Sequence, residues 1–137
     1  MERPLTLRDL ASSRDTSVDD LQIQCRFCDR RLGLYEKLVF EQCQLRVIYR
    51  LGRAYAACPS CVKIVSRIEF AVGVEACFAA GYIESLQGET LFEVDLRCVS
   101  CLKPLDRYER AFCYHTNSLI YVVRGRHRAL CYLCHLF

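Results

Sequence analysis

The sequence predicts an α+β chain of two tandem small modules, each a short antiparallel sheet plus helices, joined by a linker helix. Three observations carry that prediction. Cys25, Cys28, Cys58 and Cys61 recur in unchanged spacing as Cys98, Cys101, Cys131 and Cys134, each 73 positions later. The repeat continues outside the cysteines, with Leu32, Tyr35, Glu36, Gly52 and Arg53 returning as Leu105, Tyr108, Glu109, Gly125 and Arg126. Between the two copies lies a stretch of helical apolar spacing. Duplication of a whole folding unit accounts for this pattern.

Each quartet has the spacing Cys-x2-Cys-x29-Cys-x2-Cys. Four thiolates are what a tetrahedral Zn²⁺ takes at a structural site, with no position left open for water. The metal ligands are therefore assigned as Cys25, Cys28, Cys58 and Cys61 for one Zn²⁺ and Cys98, Cys101, Cys131 and Cys134 for a second. A quartet spans only 37 residues from first to last ligand, too few for a hydrophobic core alone to hold. Structural zinc supplies roughly 10–16 kcal/mol in modules of this size, and that energy goes into folding.

Along the chain, residues 1–17 are polar and without periodicity, so a flexible N-terminal segment is expected. The first zinc module is assigned to 18–61. Ser17 followed by Asp19 and Asp20 resembles a helix start. Residues 37–41 and 44–51 read as strands, with Leu45, Val47, Tyr49 and Leu51 on one face, and 55–57 as a third short strand after the turn at Gly52. The linker region is 62–94. Pro59 can open a helix, and Ile64, Val65, Ile68 and Val72 have helical spacing, which predicts a helix over 59–80 weakened at Gly73. The second zinc module is 95–137, with strands expected over 111–114 and 119–123.

Composition bounds the function. The N-terminal stretch carries no apolar run of a secretory signal, and no stretch approaches membrane-spanning length. A reducing compartment is expected, where paired CxxC motifs bind metal. The formal net charge of +3 falls to −1 once eight thiolates and two Zn²⁺ are included, which argues against binding to nucleic acid through overall charge. Arg124, Arg126 and Arg128 are concentrated together, and a zinc-finger-type nucleic-acid-binding transcription regulator is the alternative reading they support. No phosphate loop, Gly-x-Ser-x-Gly or His-Glu-x-x-His occurs, and the sequential ligand pairs do not fit an interleaved ubiquitin-ligase brace. No enzymatic activity is expected. His115, His127 and His135 read as surface histidines. Cys43, Cys77 and Cys113 read as small buried hydrophobes.

Three runs carry a resemblance to a known family. They are Tyr49-Arg50-Leu51-Gly52-Arg53-Ala54-Tyr55-Ala56-Ala57-Cys58, Leu96-Arg97-Cys98-Val99-Ser100-Cys101-Leu102-Lys103-Pro104-Leu105 and Val123-Arg124-Gly125-Arg126. Together with the two quartets and the helical linker, the chain from Leu21 onward resembles papillomavirus early protein six, a small viral oncoprotein. The resemblance implies an adaptor without catalytic activity that captures an acidic LxxLL helix of a host protein in a groove. It implies host nucleus and host cytoplasm as its location. It implies effects on host transcription, differentiation and apoptosis. The partners it implies are a HECT-type ubiquitin ligase, a Mastermind-like coactivator of Notch signalling, or paxillin.

Carried over residue by residue, the peptide-binding positions are Leu45, Ile48, Ala57, Val62, Val65, Arg97, Arg124 and Arg126. Two residues depart from the family's pattern: Arg46 stands where a small or apolar side chain is common, and Ala57 is smaller than usual. Arg97 has a second reading as a hydrogen-bond donor to the metal thiolates. The final residues His135-Leu136-Phe137 lack the Ser/Thr-x-Val/Leu pattern, so no PDZ partner is expected.

Overall fold

The structure is a computed structural model that describes residues 3–83 and 90–136, with the side chains of residues 135 and 136 excepted. It divides into two compact units, Met1–Val62 and Lys63–Phe137. No described helix is long and apolar enough to cross a membrane.

Unit one opens with helix α1, Leu7–Ser13, capped by the Thr6 hydroxyl, which accepts from the Asp9 amide at 3.1 Å. The sequence suggested a mobile start. Instead Leu7, Leu10 and Ala11 of α1 are buried. The approach to the helix is also held, by Val47 N donating to Leu5 O at 2.8 Å, Tyr49 Oη to Pro4 O at 2.6 Å, and Leu7 N to Glu41 Oε1 at 2.7 Å. All these partners lie more than thirty residues away, where local periodicity carries no trace of them. The helix start expected at Ser17 is a turn closed by Asp20 N on Ser17.

Helix α2, Leu34–Gln42, replaces the strand expected over 37–41. The short apolar run Leu38-Val39-Phe40 reads as a strand by itself. Glu36 decides otherwise, because its carboxylate accepts from the Gly33 amide at 3.0 Å and satisfies a donor that a helix start leaves open. Lys37 and Phe40, three apart, then form the buried face. Gln44 in the left-handed region (φ 54°) stops the helix. The strand expected over 44–51 therefore shortens to β1, Ile48–Arg50, which pairs antiparallel with β2, Arg53–Tyr55. Leu51 and Gly52 both have positive φ, 51° and 79°, as a two-residue hairpin with the twist of its strands requires.

Helix α3, Pro59–Gly73, is shorter than the 59–80 expected. Residues 74–79 form strand β3, Val74–Ala79, because β5, Leu119–Val123, offers it an antiparallel edge. Unit two completes its sheet with β4, Leu96–Cys98, and β6, Arg126–Ala129, in the order β3-β5-β6-β4. β4 runs parallel to β6, and the other neighbours are antiparallel. Helix α4, Arg107–Thr116, stands where a strand was expected at 111–114, with Asp106 and Glu109 forming a reciprocal capping box and Asn117 a left-handed stop. Helix α5, Tyr132–Leu136, follows. Ile83, Leu91, Leu96, Leu105 and Ile120 centre the core of this unit, and Cys98 and Cys131 are part of it.

Candidate metal centres

In each module a knuckle delivers the first cysteine pair. Asp29 N donates to Cys25 O and Leu102 N to Cys98 O, both at 3.0 Å, with Asp29 and Leu102 in the left-handed region at φ 61° and 63°. The chain then turns back, so that Cys25 N donates to Arg30 O and Cys98 N to Lys103 O, both at 2.8 Å. The second pair arrives beside the first because Arg26 N donates to Ala56 O and Val99 N to Ala129 O, at 2.9 and 2.7 Å. Cys58 and Cys131 thus sit two residues beyond a backbone already fixed to the knuckle. A duplicated sequence has produced the same backbone twice, down to the sign of φ.

The four sulfurs of Cys25, Cys28, Cys58 and Cys61 lie within 4.8 Å of one another, as do those of Cys98, Cys101, Cys131 and Cys134. A zinc tetrahedron with Zn–S of about 2.3 Å puts its sulfurs about 3.8 Å apart. Cys28 Sγ stands 3.9 Å from Cys58 Sγ, and Cys101 Sγ stands 3.8 Å from Cys131 Sγ. The donor set fits Zn²⁺ twice, and the role is structural.

Amides prepare one thiolate in each site. Cys25 Sγ accepts from Phe27 N and Cys58 N, and Cys98 Sγ from Ser100 N and Cys131 N, all at 3.4 Å. Burial works against the Cys25 thiolate, yet these donors win and lower its pKa to about 7. The Cys101 thiol, with those amides, outweighs burial at Cys98 and lowers it to about 4. The charge so formed has the opposite effect on its neighbours. Cys101 is pushed far up, mainly by Cys98, and burial with the charge on Cys98 takes Cys134 up to about 11. Four crowded sulfurs ionise together only beside a divalent cation.

The residues around each centre repeat as well. Glu36 pairs with Arg30 at 2.8 Å, and Glu109 with Lys103 at 3.0 Å. Glu109 does more, because its Oε2 accepts from Tyr132 N, next to ligand Cys131, at 2.7 Å. Pro59 holds the matching place in unit one and has no N–H to give. These partners follow from the 73-residue register, but a cation at 30 and 103 is an unremarkable pair until the fold brings it to a carboxylate.

The peptide-binding residues inferred from the resemblance divide between the units. In unit one Leu45 and Ile48 are half-buried, while Ala57 and Val62 are buried. In unit two Val65 is half-buried, and Arg124 and Arg126 are exposed on the β5–β6 turn. Arg97 is half-buried, with Nη1 donating to Leu102 O at 2.8 Å, so it braces a knuckle. Ile64, Ile68 and Val72 mark the helix in the sequence but are not among the peptide-binding positions that the resemblance implies, and the structure shows them as an exposed stripe on α3. Ile64, Ile68 and Val72 are 56%, 59% and 72% exposed, and their four-residue spacing was the available signal.

Arg128 corrects the basic-cluster reading, since it is buried and lies 3.6 Å from Glu69 of α3. Two exposed arginines remain on that turn. His127 is not a surface histidine but is half-buried, its ring 6.3 Å from that of Phe78. His115 is exposed, and the side chain of His135 lies outside the described residues. Cys43 and Cys113 are buried as expected. Cys77 is exposed on β3.

Comparison with known proteins agrees with this geometry. The family model described as Early Protein (E6) matches residues 2–134. The chain belongs to the papillomavirus E6 family. It is 34% identical over 136 residues to Protein E6 of canine oral papillomavirus (strain Y62), covering 99% of this chain and 93% of that protein. It is 32% identical over 133 residues to Protein E6 of human papillomavirus type 70, covering 97% of this chain and 84% of the other. For Protein E6 of human papillomavirus type 1 the identity is 30% over 132 residues, with coverage of 96% and 94%. This E6 family member therefore carries two Cys₄ zinc centres on a duplicated α+β scaffold.

Proposed function

We propose that this chain is a non-enzymatic adaptor that captures an acidic LxxLL helix of a host protein. By doing so it redirects or blocks that protein and alters host transcription, differentiation and apoptosis. One observation supports the reading above others. The exposed apolar stripe of α3 ends at Gly73, whose carbonyl accepts from Arg124 N at 3.1 Å, so the stripe runs toward the turn that bears Arg124 and Arg126. Neither arginine is in an ion pair among the described residues. Leucines of an amphipathic helix gain affinity by burial on such a stripe, and arginines at its end select acidic flanks.

The host partner is a HECT-type ubiquitin ligase, a Mastermind-like coactivator or paxillin, met in the host nucleus or cytoplasm. The test is fluorescence anisotropy with a labelled acidic LxxLL peptide and zinc-loaded protein. Ile68→Asp is expected to abolish binding with zinc content unchanged. Arg126→Ala is expected to weaken binding about fivefold at low ionic strength and less at high. A peptide with its leucines replaced by alanine that binds equally well defeats the reading.

A further inference from the structure

Unit one brings three arginines from distant segments to one concavity of about 300 Å³, lined also by Gln22, Gln24 and Gly52. Arg14 is the C-cap of α1. Arg31 leaves the first knuckle, bridged across to Gln24. Arg53 opens β2 and lies over the Tyr55 ring at 5.7 Å, which holds its guanidinium in place. All three are exposed, and among the described residues none is in an ion pair.

No acidic residue lines the concavity. Glu36 holds Arg30, Glu41 receives the Leu7 amide and Asp20 bonds Ser17. Like charges gathered without a counter-charge repel and lower stability, so the scaffold gains nothing from this arrangement by itself. The duplication confirms that point. Arg31 and Gln22 correspond to Pro104 and Asp95 in the second module, which builds the same metal knuckle without those side chains.

We propose that Arg14, Arg31 and Arg53 form a binding site for a phosphate monoester, presented as a phosphorylated serine or threonine of a peptide. A monoester near neutral pH carries close to two charges and three terminal oxygens, which suit three guanidinium forks. A nucleic-acid phosphodiester carries one charge and two free oxygens, and a polymer needs a basic track. A concavity of about 300 Å³ takes one head group. The Gln22 and Gln24 amides add neutral donors at its wall.

The experiment titrates ¹⁵N-labelled, zinc-loaded full chain with a short neutral peptide carrying one phosphoserine, and with its unphosphorylated twin. The phosphopeptide is expected to bind and to move the amide resonances of Gln24, Gly52 and Ala54, while the twin moves none of them. Arg31→Gln combined with Arg53→Gln is expected to weaken binding at least tenfold with two zinc equivalents retained, and Arg14→Gln to weaken it further. Inorganic phosphate is expected to compete at higher concentration than the phosphopeptide. Equal binding of the twin, an unchanged affinity in the arginine variants, or displacement by a single-stranded oligonucleotide at lower concentration than by free phosphoserine would each overturn the proposal.

Discussion

Lys37 and Arg110 stand 73 residues apart and do the same work in their own modules. Lys37 Nζ donates to the carbonyls of Val18, Asp19 and Leu21 at 2.8, 2.9 and 3.1 Å. Arg110 donates to the carbonyls of Leu91, Val94 and Leu105 at 3.0, 2.5 and 3.0 Å. Leu91 and Val94 are the counterparts of Val18 and Leu21. Each cation thus fixes the segment that enters its first cysteine pair, by satisfying carbonyls that no helix or strand satisfies.

Lys37→Met keeps the aliphatic stem and removes the donor. With Lys37 only 4% exposed, three carbonyls lose their donor, and that of Leu21 loses it in a buried setting. Unit one is expected to lose about 2–4 kcal/mol, measured by urea denaturation with zinc present. Lys37→Arg is expected to restore most of it. A loss below about 0.5 kcal/mol for the methionine variant would show that the cation is ornamental.

Glu36 and Glu109 occupy equivalent capping boxes but carry unequal burdens. Glu109 is buried, and it alone also receives an amide beside a ligand cysteine, Tyr132 N. Glu109→Gln is expected to cost about 2–3 kcal/mol and to speed zinc loss from the second centre in a chelator-competition assay. Glu36→Gln is expected to leave zinc release from the first centre nearly unchanged. Equal rates in the two variants would remove the asymmetry.

Glu69 and Arg128 join α3 to β6 within unit two. Burial lowers the Arg128 pKa despite the neighbouring carboxylate, so the guanidinium has given up water that Glu69 only partly replaces. Glu69→Ala leaves that cation buried alone and is expected to cost about 1–3 kcal/mol. Arg128→Met in the same chain is expected to recover at least half, because the uncompensated charge is gone. A strictly additive double variant would mean that the two side chains do not interact.

Zinc removal is expected to unfold both units, since neither core reaches the size at which small domains stand alone. Atomic absorption should give two zinc equivalents per chain, and strong chelation should abolish the helical circular dichroism. Cys131→Ser is expected to lose one equivalent and to leave the resonances of α1 and α2 in place. Retention of full helicity by the metal-free chain would contradict the structural role of the ions.

The ligand assignment was legible in the sequence because it rests on spacing alone. The same is true of the module count, of the turns at Gly52 and Gly125 and of the start of α3 at Pro59. What misled was the reading of short segments. Residues 37–41 and 111–114 are short, mostly apolar runs that read as strands in both modules, and the duplication repeats one misreading at equivalent places. The capping carboxylates Glu36 and Glu109, rather than apolar period, select the helix there. Val74–Ala79 reads as a continuation of α3 until β5 is present to pair with it.

By itself the sequence determined that this chain folds around two four-sulfur zinc centres and belongs among the papillomavirus early proteins. Covalent order suffices for that, because a metal ion recognises residue type and spacing over a few turns of backbone. The tertiary structure alone decided that residues 7–13 are docked as a helix, that Arg128 is a buried partner of Glu69 and not a surface charge, and that Arg14, Arg31 and Arg53, in no ion pair among the described residues, share one concavity. Those outcomes depend on groups tens of residues apart, and the free energy of a buried charge or an open sheet edge is fixed only when its neighbour arrives.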